Sequence, residues 1–137
     1  MALHPTVLAD LLDAEVEQAR RHLGSRANDL RRHDDALVMT LVRPDGTWTL
    51  RLDGSRYDAE PYDVALVDAA GVVLPLEAWI PGLGFGLHPT LGVPWVCVSG
   101  TRGYYCHESH YLERWDAVRY RDRADTLLDK LLGKAGL

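Results

Sequence analysis

The sequence predicts an α+β domain: an N-terminal helix, a four-stranded antiparallel meander, a long loop rich in Cys and His, and a C-terminal helix. Three observations predict it. Apolar residues recur at helical steps near both ends of the chain. Between those stretches the period falls to two. Turn residues then divide the period-two region at short intervals. Helices flanking a run of strands bury their stripes on one face of the sheet, which gives a layered α+β arrangement. The chain has 137 residues, enough for one hydrophobic core, and residues 1–137 read as a single domain. Its 47% hydrophobic and 26% charged composition excludes a disordered or fibrous chain.

The N-terminal helix rests on Leu8, Leu11, Leu12, Val16, Ala19, Leu23, Ala27 and Leu30, spaced by one, three or four. Thr6 after Pro5 is the expected cap, and Gly24-Ser25 is the expected break or kink. Residues 36–43 (ALVMTLVR) read as the first strand, and Pro44-Asp45-Gly46 as a tight turn. Residues 47–53 (TWTLRLD) alternate, with Trp48, Leu50 and Leu52 on one face. Residues 62–68 (YDVALVD) form a third strand and residues 72–80 (VVLPLEAWI) a fourth, edge-placed or bulged because of Pro75. Residues 81–114 lack a clean period and collect Gly, Pro, aromatic residues, His and both cysteines. A last helix carries Ala117, Tyr120, Ala124, Leu127, Leu128 and Leu131 on one face, with Asp116 as cap and Gly133 as stop.

Charge and cysteine usage narrow the function. With 15 Lys+Arg against 20 Asp+Glu the net charge is -5, so no nucleic-acid partner is expected. Two cysteines are too few for a disulfide scaffold and fit a reducing compartment. The acidic start, with Asp10, Asp13 and Glu15, does not read as a signal peptide. The most apolar stretch, 69–87, contains Pro75, Pro81, Gly71, Gly82, Gly84, Gly86 and Glu77, which would leave backbone groups unpaired in lipid. No membrane partner is expected, and the expected location is cytoplasmic.

The chemistry concentrates in the long loop. Cys97 lies in the apolar run Trp95-Val96-Cys97-Val98, where a small buried residue is the plain structural reading. Cys106 lies beside His107, and a reactive thiol wants such a neighbour. Cys97, Cys106, His107 and His110 are also ligand types that zinc uses. Cys106 and His107 are adjacent, however, which rarely lets both reach one ion, so no metal or other cofactor is assigned. Gly82 to Gly86 is followed by Leu-His-Pro and not by a helix, so it is no phosphate loop. His4, His22 and His33 read as surface residues of the N-terminal helix.

The order of elements, together with several local motifs, resembles the ubiquitin-conjugating enzyme (UBC) fold. Residues 48–54 (WTLRLDG) resemble that family's second strand and the glycine after it. Tyr57 and residues 62–66 (YDVAL) resemble the family's next tyrosine and its third strand. His88-Pro89 resembles the start of the family's His-Pro-Asn segment, Cys97 falls near the catalytic offset, and Trp115-Asp116 resembles the Trp before the family's next helix. The resemblance covers roughly residues 5–132 and is strongest to divergent bacterial conjugating-enzyme-like proteins, some encoded in antiviral-defence operons.

The resemblance implies a transferase that carries a ubiquitin-like protein as a cysteine thioester and passes it to an amine. Its implied partners are the ubiquitin-like protein and an activating enzyme, which the N-terminal helix would receive. Cys97 is the first candidate nucleophile and Cys106 the second. His88 would tie the loop, Thr90 would be nearest to oxyanion support, and His107 or His110 would act as base. Trp95, Trp115 and His110 complete the expected site as binding residues. Two departures stand out: Thr90 replaces the family's Asn, and the gap from Cys97 to Trp115 is longer than the family's. The alternatives are an inert UBC-like module that binds the same kinds of partner, and a small zinc-stabilised domain.

Overall fold

The computed structural model describes residues 3–110 and 112–137. In chain order the elements are α1 (Pro5–Leu23), β1 (Arg31–His33), β2 (Ala36–Arg43), β3 (Gly46–Asp53), β4 (Asp63–Val67), α2 (Arg102–Cys106), α3 (Trp115–Val118) and α4 (Ala124–Lys134). Short 3-10 turns occupy Gly24–Ala27, Leu76–Ala78 and Glu108–His110. The strands lie in the order β1-β2-β3-β4, each pair antiparallel. No helix among the described residues is long and apolar enough to cross a membrane.

Helix α1 follows the expected stripe. Leu8, Leu12, Val16, Ala19 and Leu23 are buried against Leu37, Met39, Leu41, Leu50, Leu52 and Leu66 of the sheet. Leu11 lies at the margin of the stripe and is 38% exposed. The cap is His4, not Thr6: the His4 Nδ1 accepts the Thr6 backbone N–H at 3.2 Å. Pro5 suits the first helical position, where no N–H is needed, and so moves the cap to the residue before it. Gly24, with φ of 58°, ends the helix in the left-handed region that favours glycine. Ala27 and Leu30 are still buried, beyond the helix.

Pro44 and Asp45 form the two-residue link between β2 and β3, since Arg43 pairs with Gly46. Leu50 and Leu52 point into the core and Trp48 packs partly against it, as period two requires. The fourth strand differs from the expectation. Residues 72–80 do not form it. Val73 makes one bridge to Val67 and the Leu74 N–H donates to the Leu66 carbonyl. Pro75 then has no N–H to continue the ladder, and the chain turns through Leu76–Ala78. The fourth strand is β1 instead, three polar residues, too short to show a period. His33 therefore belongs to the sheet and not to α1.

The C-terminal helix is also two pieces. Ala117 is exposed and Tyr120 is 73% exposed. Ala124, Leu127, Leu128, Leu131 and Leu132 of α4 alone supply the buried face. Asp116 does not cap the long helix: it sits in the first turn of α3 and accepts from Arg114 Nε at 3.3 Å. Gly133 lies within α4. The break falls before Arg123, whose extended backbone turns its guanidinium inward to Glu15 and Asp58. Satisfying a buried carboxylate outweighs one more helical turn here.

Candidate functional site

The long loop closes on His88. Residues 85–95 make an irregular hairpin: Phe85 N–H donates to the Trp95 carbonyl, His88 N–H to Val93, and Leu87 bridges Pro94. His88 is 1% exposed. Its Nδ1 accepts the backbone N–H groups of Thr90 and Leu91, both at 3.0 Å. Those two donors leave the ring proton on Nε2, which donates to the Gly103 carbonyl at 2.9 Å. One imidazole therefore joins the hairpin turn to α2. Thr90 is exposed at the turn and takes part through its backbone.

Trp95 is 4% exposed and lies between the rings of this cluster. His88 meets it edge-on at 4.7 Å, His107 stacks on it at 5.3 Å, and Phe85 meets it at 5.5 Å. Gly103 is required by this packing, because an added Cβ would stand 2.8 Å from the Trp95 ring. The Thr101 side chain caps α2, accepting from Tyr104 N–H at 3.3 Å and donating to the Val98 carbonyl at 2.7 Å.

Val96 and Val98 are core residues, and Cys97 between them turns outward, partly exposed and free. Tyr104 of α2 lies close enough to Cys97 for the two to interact electrostatically. Tyr104 donates to both Glu113 oxygens, at 3.1 Å and 2.9 Å. The His110 Nδ1–H donates to Glu113 Oε2 at 2.7 Å, and the Tyr104 and His110 rings stack at 3.7 Å. Burial, the hydrogen bond to Glu113 and the nearby charge of Glu113, with lesser contributions from Cys97 and Asp122, hold the Tyr104 phenol above its ordinary value. Behind Cys97, Lys130 of α4 donates to the Ser99 carbonyl and hydroxyl at 2.8 Å each and to Asp122 at 2.7 Å. The segment carrying Cys97 is thus pinned to a helix.

The other expected residues are dispersed. Cys106 is exposed and ends α2. The His107 Nδ1 accepts from the Ser109 hydroxyl at 2.7 Å and its ring lies on Trp95. Trp115 belongs to a different cluster: its Nε1 donates to the Asp58 carbonyl at 3.0 Å, beside Glu15, Tyr57, Tyr62 and Arg123. Among the described residues no three His, Cys, Asp or Glu side chains gather as a metal site, so Cys97, Cys106, His107 and His110 do not share one.

Sequence reasoning did not single out Tyr104, Glu113, Thr101 or Lys130. The His110–Glu113 spacing of one helical turn was a weak available signal. Nothing local marks Tyr104 or Lys130. What the geometry offers is a half-exposed thiol on an anchored segment, with a Tyr–Glu–His hydrogen-bonded group nearby. No protein-family model matches the chain, and no curated protein matches it.

Proposed function

We propose that the protein is a thiol carrier of acyl groups, with Cys97 as nucleophile, of the ubiquitin-conjugating type that its sequence resembles. The observation that carries this reading is an outward-facing Cys97 within electrostatic range of Tyr104, which is hydrogen-bonded to Glu113 and through it to His110, beside a Ser99 that Lys130 anchors. In the first step the Cys97 thiolate attacks a thioester carbonyl at the C-terminus of a ubiquitin-like protein held on an activating enzyme. A new C–S bond forms and the activating enzyme's thiolate leaves. In the second step an amine attacks that carbonyl, a C–N bond forms, the C–S bond breaks, and Cys97 leaves as thiolate. The amine's surplus proton passes to the Glu113–His110 pair, with the Tyr104 phenol beside the reacting carbonyl.

Cys97 is preferred to Cys106 because it lies near the hydrogen-bonded Tyr104 and beside the Ser99 that Lys130 anchors, whereas Cys106 is exposed at the end of α2. The test uses a short peptide thioester ending in Gly-Gly as donor and intact mass as readout. The expected result is one peptide adduct on the native protein, released by excess free thiol or hydroxylamine, absent in Cys97→Ala and retained in Cys106→Ala. An adduct that survives Cys97→Ala, or none on the native protein, overturns the reading.

A further inference from the structure

Residues 78–101 contain no Asp, Glu, Lys or Arg, in a chain that is 26% charged. This uncharged run includes Cys97 and carries an exposed apolar surface. Phe85 is 63% exposed, Leu87 61% and Val93 42%. Single surface hydrophobes are ordinary, but these three share one small hairpin. Only Gly86 separates Phe85 from Leu87, Leu87 bridges Pro94, and Val93 accepts the His88 N–H at 2.8 Å.

The hairpin is held in shape before anything binds. His88 ties its turn to Gly103 of α2, and the Phe85 N–H donates to the Trp95 carbonyl at 2.8 Å. The surface also lies close to the thiol. The Phe85 ring meets Trp95 edge-on at 5.5 Å, and Trp95 stands two residues before Cys97. Two residues span at most about 7 Å, so with the indole between them the Phe85 ring lies within about 17 Å of the Cys97 backbone. An extended peptide covers that distance in about five residues. Asp63, which borders Val93 and Pro94, is paired with Arg102 at 3.8 Å. A charged side chain laid on the hairpin would lose water and find no counter-charge in residues 78–101, whereas an apolar one would lose only contact with water.

We propose that the Phe85–Leu87–Val93 surface receives the tail of the acyl donor, an extended peptide with apolar side chains roughly three to five residues before the carbonyl that Cys97 takes. The inference rests on the carrier reading and names its specificity. The thioester fixes the end of the tail at Cys97, so the neighbouring surface selects what precedes that end. Phe85 and Leu87 are specificity residues: they touch the tail and no reacting atom. They favour an apolar tail by burial and reject a charged one by offering it no partner.

Three octapeptide thioesters ending in Gly-Gly test the proposal. They are alike except at the third to fifth residues from the carbonyl, which are Leu-Val-Leu, Asp-Ser-Asp or Lys-Ser-Lys. The readout is the rate of adduct formation on Cys97 by intact mass, in the native chain and in a double variant with Phe85→Ser and Leu87→Ser. The apolar peptide is expected to load about tenfold faster than either charged one, the scale of one large side chain buried. The double variant is expected to load it at the charged peptides' rate. It is also expected to load the charged peptides as the native chain does, which shows thiol and fold intact. Equal rates for the three peptides, faster loading of a charged one, an apolar rate unchanged in the double variant, or a fall shared by all three peptides overturns this inference and leaves the carrier reading standing. No adduct with any peptide overturns the carrier reading, and this inference with it.

Discussion

Arg123, at the N-terminus of α4, brings its guanidinium to within 3.4 Å of the Glu15 carboxylate in α1 and joins the two helices over a buried acid. Glu15 is 7% exposed and also accepts the Tyr62 hydroxyl at 3.2 Å. Burial raises the Glu15 carboxyl above its ordinary 4.5, against the opposing charge of Arg123 and the hydrogen bonds from Tyr62 and Tyr57. The same carboxylate and its surroundings push the Tyr57 phenol up to about 12, burial first.

Linkage gives the sign of the Glu15 contribution. A raised carboxyl binds its proton more tightly in the folded state than in the unfolded one. That contribution is full below pH 4.5 and is lost as pH rises through the folded value. Glu15→Gln keeps an acceptor for Tyr62 and removes the titration. Denaturant unfolding across pH 4 to 8 is expected to show a flatter profile for Glu15→Gln on the alkaline side of 4.5 than for the native chain. Parallel profiles would show that Glu15 does not titrate differently on folding.

Loss of the His88 imidazole has a larger effect. His88→Ala strips two backbone N–H groups and one buried carbonyl of their partner. The expected loss is about 2–4 kcal/mol, from unsatisfied polar groups and a cavity beside Trp95. Thr90→Ala, at an exposed position that contributes through its backbone, is expected to change stability by less than about 0.5 kcal/mol. Urea unfolding monitored by tryptophan fluorescence separates the two.

Gly103→Ala tests the packing of α2 on the hairpin. The added methyl stands 2.8 Å from the Trp95 ring, so ring or helix must shift. Overpacking of this kind costs about 1–3 kcal/mol. The near-ultraviolet tryptophan signal is expected to change with it, while the far-ultraviolet signal is retained.

Lys130→Met removes the bridge between α4 and the Ser99 segment and leaves Asp122, whose side chain is 11% exposed, without its ion pair. A loss of about 1–3 kcal/mol is expected. The more informative readout is the alkylation rate of Cys97, which is expected to rise several-fold as the segment loosens, while that of Cys106 stays constant.

Under the carrier proposal, Tyr104→Phe and Glu113→Gln divide the two steps. Thioester formation on Cys97 is expected to persist in both. Transfer to an amine is expected to fall by about 10²-fold or more in Glu113→Gln, the scale of a lost general base. Single-turnover discharge of a preformed peptide thioester to free lysine measures it. Unchanged discharge in both variants would remove this group from the chemistry.

Much of the scaffold was written locally. The period-two alternation of Trp48, Leu50 and Leu52, the Pro44-Asp45-Gly46 turn and the α1 stripe each depend on a few adjacent residues. In such elements backbone geometry alone sets which side chains share a face. His88 and Cys97 were also visible, as an unusual pair in a loop without a period.

The tertiary structure decided what depends on distant partners. Residues 72–80 had strand composition, but the missing N–H of Pro75 and the turn after it left the edge to other residues. Arg31–His33 became a strand because β2 offered it a ladder, which no pattern of three polar residues reveals. Glu15 reads as a surface residue of an amphipathic helix and is buried because Tyr62 and Arg123 converge on it. Arg123 in turn breaks a helix that the apolar spacing ran straight through. The Tyr104–Glu113–His110 group shares this origin. Sequence periodicity reports which face a residue takes within its own element, while pairing energies between elements select the partner across from it.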